Sequence, residues 1–195
     1  MSKSLARFLT IVLLVPLLAA AWLLVQTDYS KNTTTSADFS VADESIIERG
    51  RYLAVAGNCA TCHTVPGGEF MAGGLAFETP FGTIYSTNIT PDAETGIGNW
   101  TGVQFFNSMR HGVRPDGEHL YPVFPYTAFT KITDEDVAAL YVYFQSIPAV
   151  RREAPENQLS FPFNQRSLMA FWKGMFFDAG SYEPVDSESE EWNRG

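Results

Sequence analysis

The chain has 195 residues, 45% hydrophobic and 14% aromatic, with thirteen Lys and Arg against twenty-two Asp and Glu for a formal charge of −9. That length and apolar content suit one domain-sized core and exclude a disordered tail. The acidic balance excludes a surface built for the phosphates of nucleic acid, so no nucleic-acid partner is expected.

The N-terminal end is expected to meet a membrane. Lys3 and Arg7 precede an uncharged run from Phe8 to Val25, broken only by Thr10 and Pro16. The run exceeds the roughly 7–15 residues of a signal-peptide core and lies at the lower end of what spans a bilayer as a helix. Residues 1–27 are therefore read as an uncleaved membrane anchor. The alternative is a signal cleaved near Ala19-Ala20-Ala21, although Trp22-Leu23-Leu24-Val25 would then leave an apolar mature terminus. Either way the positive charges stay cytoplasmic and the rest is exported, which in a bacterium means the periplasm. Residues 28–42, with Thr33, Thr34, Thr35 and Ser36, read as a polar tether.

From Asp43 the pattern turns helical, with Ile46, Ile47, Tyr52, Leu53 and Val55 at helical spacings and Gly57-Asn58 as a stop. The stretch from His63 to Thr133 is rich in Gly and Pro, shows no strand alternation, and holds one short helical segment from Gly102 to Met109. A stronger helix starts at Thr133, whose hydroxyl can cap the amide of Asp136, and runs through Val137, Leu140, Tyr141 and Phe144 before Pro148. Two good helices, one weaker one and much loop make a poor core for residues 43–150 unless something bulky fills the middle. Residues 151–195 form a C-terminal extension. Its apolar segment, Ser167 to Phe177, is too short to span and is expected to pack on a neighbouring domain or lie at the membrane surface.

The only cysteines stand in Cys59-Ala60-Thr61-Cys62-His63, the C-x-x-C-H pattern of c-type haem attachment. Two thiols three residues apart can reach the two vinyl groups on one porphyrin edge, and the next residue then offers an imidazole to the iron. Cys59 and Cys62 are the expected thioether ligands of one haem c, and His63 the expected proximal iron ligand. A thioredoxin-like pair would need a surrounding βαβ pattern, and a zinc site two more ligands. Met71, Met109, His111, His119, Met169 and Met175 are the possible sixth ligands. Against that role stand core packing for Met109 and a surface or propionate-contacting place for His111 and His119.

The runs Gly50-Arg51-Tyr52-Leu53, Thr79 to Asp92, Gly96-Ile97-Gly98-Asn99-Trp100, His119-Leu120-Tyr121-Pro122, Asp134 to Tyr141 and Phe161 to Arg166 resemble the first haem domain of a known family. That family comprises the membrane-bound multi-haem cytochrome c subunits of bacterial periplasmic dehydrogenases, of the quinoprotein alcohol, gluconate or molybdenum-hydroxylase kind. The likeness covers nearly all of residues 48–177. It implies an all-α class I cytochrome c domain over 43–150, which the transmembrane helix read from the Phe8–Val25 run would precede. It also implies electron transfer from a dehydrogenase catalytic subunit toward membrane ubiquinone or an oxidase. Asn88, Tyr85, Trp100, Arg114 and Tyr126 are then donors to the haem propionates or distal packing groups.

The chain departs from that family in two places. Many members place a methionine, the distal ligand, in the loop where this chain has Phe124, so the candidates are ordered Met109, His119, His111. An iron without a strong sixth ligand would instead suit a peroxidase or a sensor of small ligands, and a third role is that of a structural anchor for a catalytic subunit. The family also usually carries three haem domains. Glu191-Trp192-Asn193-Arg194-Gly195 echoes Ile47-Glu48-Arg49-Gly50, so the 195 residues are expected to be a piece of a longer multi-haem chain. The competing expectation is a one-haem protein with a solvated acidic tail.

Overall fold

The computed structural model of the chain describes residues 12–18, 20 and 35–194. Residues 12–18 are helical. Of the residues expected to form an anchor, 1–11, 19 and 21–27 lie outside the described residues, and no described helix is long and apolar enough to cross a membrane.

Helix α1 spans Glu44–Ala56, and Asp43 caps it by accepting from the amide of Ile46 at 3.0 Å. The buried residues of α1 are Gly50 and Ala54, while Tyr52 and Val55 face solvent. Helix α2, Cys59–His63, follows after only two residues because Asn58 adopts the left-handed conformation, φ 57°. Strands β1, Ala76–Thr79, and β2, Gly82–Tyr85, form an antiparallel hairpin extended by β3, Gln158–Leu159. Helix α3 is Gly102–His111, with a full capping box between Thr101 and Gln104. A single turn, α4, covers Tyr126–Phe129, and α5 covers Asp134–Ser146 with Thr133 accepting from the Asp136 amide at 3.2 Å. Helices α6, Leu168–Phe176, and α7, Glu190–Arg194, complete the chain.

The core forms where α1 crosses α5. Gly50 makes the crossing possible, since a Cβ there would lie 2.6 Å from the Cβ of Tyr143 and overlap the carbonyl of Ala139. Ala54 from α1, Phe105, Phe106 and Met109 from α3, and Val137, Leu140, Tyr143 and Phe144 from α5 bury their side chains together. Full burial of each large apolar side chain stabilises by about 1.5–3 kcal/mol.

The all-α expectation needs correction: the domain is helical with a small three-stranded sheet. Sequence alternation missed the β1–β2 hairpin because each strand has only four residues: β1 alternates exposed and half-buried, but its exposed face carries apolar Ala76 and its inner face polar Thr79, which blurs the pattern. Pairing depends instead on Gly82 at φ 124°, where a Cβ would strike the carbonyl of Gln158.

The C-terminal extension folds back on residues 111–131. Tyr121 donates through its hydroxyl to the carbonyl of Phe163 at 2.9 Å, and Arg166 donates to the carbonyl of His119 at 3.0 Å while lying over the Tyr121 ring. Helix α6 buries Ala170 and Lys173 against this domain, and Trp172 and Phe177 meet Tyr126 edge-on. Its other side, with Leu168, Phe171, Met175 and Phe176, is exposed. The inner side of the apolar segment expected to meet another domain or the membrane is thus covered by its own chain.

Candidate haem site

The tight turn between α1 and α2 sets the position of the two cysteines. A Cβ on Gly57 would lie 3.1 Å from both the carbonyl oxygen of Leu53 and the ring of Phe129, so any larger residue there would push the turn a few tenths of an ångström away from α4. Cys59 and Cys62 are free and half-buried. Burial pushes the Cys59 thiol up to about 11, so it rests protonated at neutral pH.

His63 ends α2, and its Nδ1 lies 2.7 Å from the carbonyl oxygen of Thr87. A carbonyl oxygen only accepts, so Nδ1 carries the proton and Nε2 keeps its lone pair. A backbone bond of this kind orients a metal-binding imidazole and raises its basicity. Burial lowers the His63 pKa and the Thr87 bond partly opposes it, which also favours the neutral ring.

The Thr87 carbonyl is itself held from several sides. The amide of Gly73 donates to the carbonyl of His63 at 2.7 Å, and Gly73 at φ 71° passes so close to Thr87 that a Cβ would overlap its carbonyl. The amide of Ile89 donates to the carbonyl of Met71 at 3.0 Å. The Asn88 amide group donates to Val150 at 2.7 Å, to Thr95 at 3.0 Å and to Arg152 at 3.2 Å, and its oxygen accepts from Thr90. Asn88 therefore ties its polar atoms to the loop. Arg114 pairs with Asp116 at 3.0 Å near the surface.

The candidates for the sixth ligand separate. Met71 belongs to the frame around His63, its amide bonded to the Thr64 hydroxyl at 3.0 Å. Met109 is buried in the core cluster against which Cys59, Phe124 and Phe129 pack. Phe124 stacks on Phe129 with centroids 5.5 Å apart. His119 is buried and its Nδ1 lies 2.9 Å from Nζ of Lys173. His111 packs edge-on to Phe106, while on α6 Met169 is half-buried and Met175 exposed. Burial lowers the pKa of both His111 and His119 to about 4, with Arg110 and Lys173 adding to the effect on His111 and Lys173 alone on His119.

Sequence reasoning missed Thr87 and Lys173. The first acts through a backbone carbonyl, which leaves no mark in residue type. The second is a single charge in an apolar run whose partners lie more than fifty residues away.

A helix carrying Cys-x-x-Cys-His, an imidazole fixed from behind by a carbonyl, and α1 crossing α5 define a small cytochrome domain. The cytochrome c family profile matches residues 47–148, and the chain belongs to that family. The donor set fits one covalently bound haem c: two free thiols on one short helix and a neutral imidazole with Nε2 available. The chain is 58% identical over 151 residues to a subunit of nicotinate dehydrogenase from Pseudomonas putida, covering 77% of this chain and 13% of that protein. It is 46% identical over 152 residues to the fructose dehydrogenase cytochrome subunit of Gluconobacter japonicus, 76% of this chain and 31% of that one. With the gluconate 2-dehydrogenase cytochrome c subunit of Pantoea cypripedii it shares 42% over 156 residues, 79% of this chain and 35% of that one. The chain spans about a third or less of the length of these three relatives.

Proposed function

We propose that the chain is a membrane-anchored periplasmic electron carrier that takes electrons from a dehydrogenase catalytic subunit and passes them toward membrane ubiquinone or the respiratory chain. The relatives that are dehydrogenase subunits support the partner class, and the uncharged run from Phe8 to Val25 supports the anchor. The observation that carries the reading is the His63 Nδ1 to Thr87 bond, which leaves Nε2 as an iron donor.

Cys59 and Cys62 would hold the haem covalently and His63 would bind its iron on one side. The bound haem supplies a one-electron couple between ferric and ferrous iron. Met109 stands first for the opposite side because it offers a soft thioether from the core cluster that borders Cys59; His119 and His111 follow. An acidic surface favours a partner face rich in Lys and Arg, and association should weaken with salt.

A second reading rests on Phe124, which packs against the core where many relatives in the resemblance carry a methionine. Without a sixth protein ligand the site would bind peroxide or a small gas. Affinity purification of the holoprotein from solubilised membranes, followed by addition of substrate for the co-purified subunit, tests the carrier reading. Reduction of the haem bands by substrate, slowed by salt, is expected. A holoprotein that purifies with no dehydrogenase and reacts with peroxide would favour the second reading.

A further inference from the structure

Part of the expected tether, residues 35–42, is packed on the domain. The segment forms no helix or strand, yet its burial alternates from Thr35 to Ser40: Thr35, Ala37 and Phe39 are half-buried while Ser36, Asp38 and Ser40 are exposed. That is the period of an extended chain with one side covered. Phe39 lies in a socket between α3 and α5. Its ring meets Tyr141 edge-on with centroids 5.7 Å apart and packs against the buried core cluster. The socket exists because α3 begins with Gly102. A Cβ there would lie 2.2 Å from Cγ of Phe39, and the three atoms nearest to it all belong to that side chain.

The segment is also tied down beyond Phe39. The Thr35 hydroxyl donates to one carboxylate oxygen of Asp134 at 2.9 Å, and the other oxygen of Asp134 accepts from the buried Arg110 at 2.7 Å. Arg110 donates in turn to the carbonyl of Thr130. The outer end of the segment is thus joined to the start of α5 and, through Arg110, to α3. At the inner end the Asp38 carboxylate accepts from the amide and the hydroxyl of Ser40, at 2.8 and 2.6 Å, in a turn that leads to the Asp43 cap of α1. A segment that only covered the core would need no fastening at Thr35, four residues before Phe39.

We propose that residues 35–42 are a strap that holds the haem domain close to the bilayer by moving its point of attachment from α1 to the start of α5. This rests on the anchor reading above. Val25 ends the uncharged run and Thr35 follows ten residues later, a span of at most about 36 Å of fully extended chain. With the segment free, the linker would leave the domain at Asp43, eighteen residues from Val25, and could reach about 65 Å. The strap therefore roughly halves the distance to which the domain can leave the membrane. For a carrier whose acceptor lies in the bilayer, a short leash raises the effective concentration of the haem at that surface.

The test uses the full chain with covalent haem, reconstituted into phosphatidylcholine vesicles that carry a small fraction of dansyl-labelled headgroups. Haem accepts energy from the dansyl group, so quenching of the lipid emission falls as the domain moves away. The variants are Thr35→Ala with Phe39→Ser, which frees the segment, Gly102→Ala, which fills the socket, and Ser36→Ala on the exposed side. An insertion of about ten Gly and Ser residues after Ser30 lengthens the linker directly. The expected result is parent-like quenching in Ser36→Ala and a loss of quenching in the other two variants that approaches the loss caused by the insertion. If the double variant does not keep its haem, Gly102→Ala decides. Parent-like quenching in the double variant and in Gly102→Ala, with a loss in the insertion, would overturn the proposal. Quenching that the insertion does not lower would also overturn it, since the domain would then rest on the bilayer through another surface. A parent protein washed off the vesicles by alkaline carbonate would instead overturn the anchor reading itself.

Discussion

The Nδ1 of His63 and the carbonyl oxygen of Thr87 lie 2.7 Å apart across twenty-four residues of chain. The bond joins the short α2 helix to a loop whose position depends on Gly73 and on the side chain of Asn88. Replacing Gly73 with Ala forces a Cβ into the Thr87 carbonyl and so pulls the histidine's support away. A weaker iron–imidazole bond is expected, read as loss of the His63 imidazole at a less acid pH when the ferric holoprotein is titrated with acid.

Met109 is the first candidate for the far side of the iron. Met109→Ala should convert a low-spin spectrum to one that binds carbon monoxide, and Met109→His should restore a low-spin form. An unchanged spectrum in Met109→Ala would leave the residue as core packing only, with a stability loss of about 2–5 kcal/mol as its sole effect.

Gly50 sets the distance between α1 and α5. Gly50→Ala should destabilise the holoprotein by about 1–3 kcal/mol through overpacking. The midpoint of a guanidinium titration should fall while its slope stays the same.

Arg110 is buried, donates to the carbonyl of Thr130, and pairs with Asp134 at 2.7 Å. Asp134→Asn leaves that guanidinium without its counter-charge. The expected loss is about 3 kcal/mol, and Arg110→Met with Asp134→Asn should recover part of it in a double-mutant cycle.

His119 links stability to pH. Its pKa falls from 6.5 to about 4 on folding, chiefly through burial. Between those values the unfolded chain holds a proton that the native chain does not, so stability rises with pH there and is lost as pH falls. His119 alone should account for about 2 kcal/mol of the fall between pH 7.5 and 5, with His111, lowered equally, adding to it, and urea titrations of His119→Gln should lack the His119 share.

The parts of this architecture legible in the sequence are those with local causes. Thr133 is a cap because it precedes a helical pattern by one residue, and the structure has it bonded to the Asp136 amide. The Cys59 to His63 motif carries its chemistry in five consecutive positions. The β1–β2 hairpin was not legible, because its strands are four residues each and one apolar pair, Phe77 with Ile84, is too short a pattern to announce a face. Nor was the return of α6 onto the domain. The apolar residues of Leu168–Phe176 suit a membrane or a partner equally well, and only the burial of Lys173 beside His119 shows which side turns inward.

The most direct test of the electron-carrier reading is the absorption spectrum of the holoprotein, ferric and ferrous, with and without carbon monoxide, after denaturing electrophoresis has shown that the haem is covalent. The predicted result is haem that survives denaturation, is lost in Cys59→Ala with Cys62→Ala, and gives a low-spin ferrous spectrum indifferent to carbon monoxide. A high-spin ferrous form that binds carbon monoxide at once would contradict that reading.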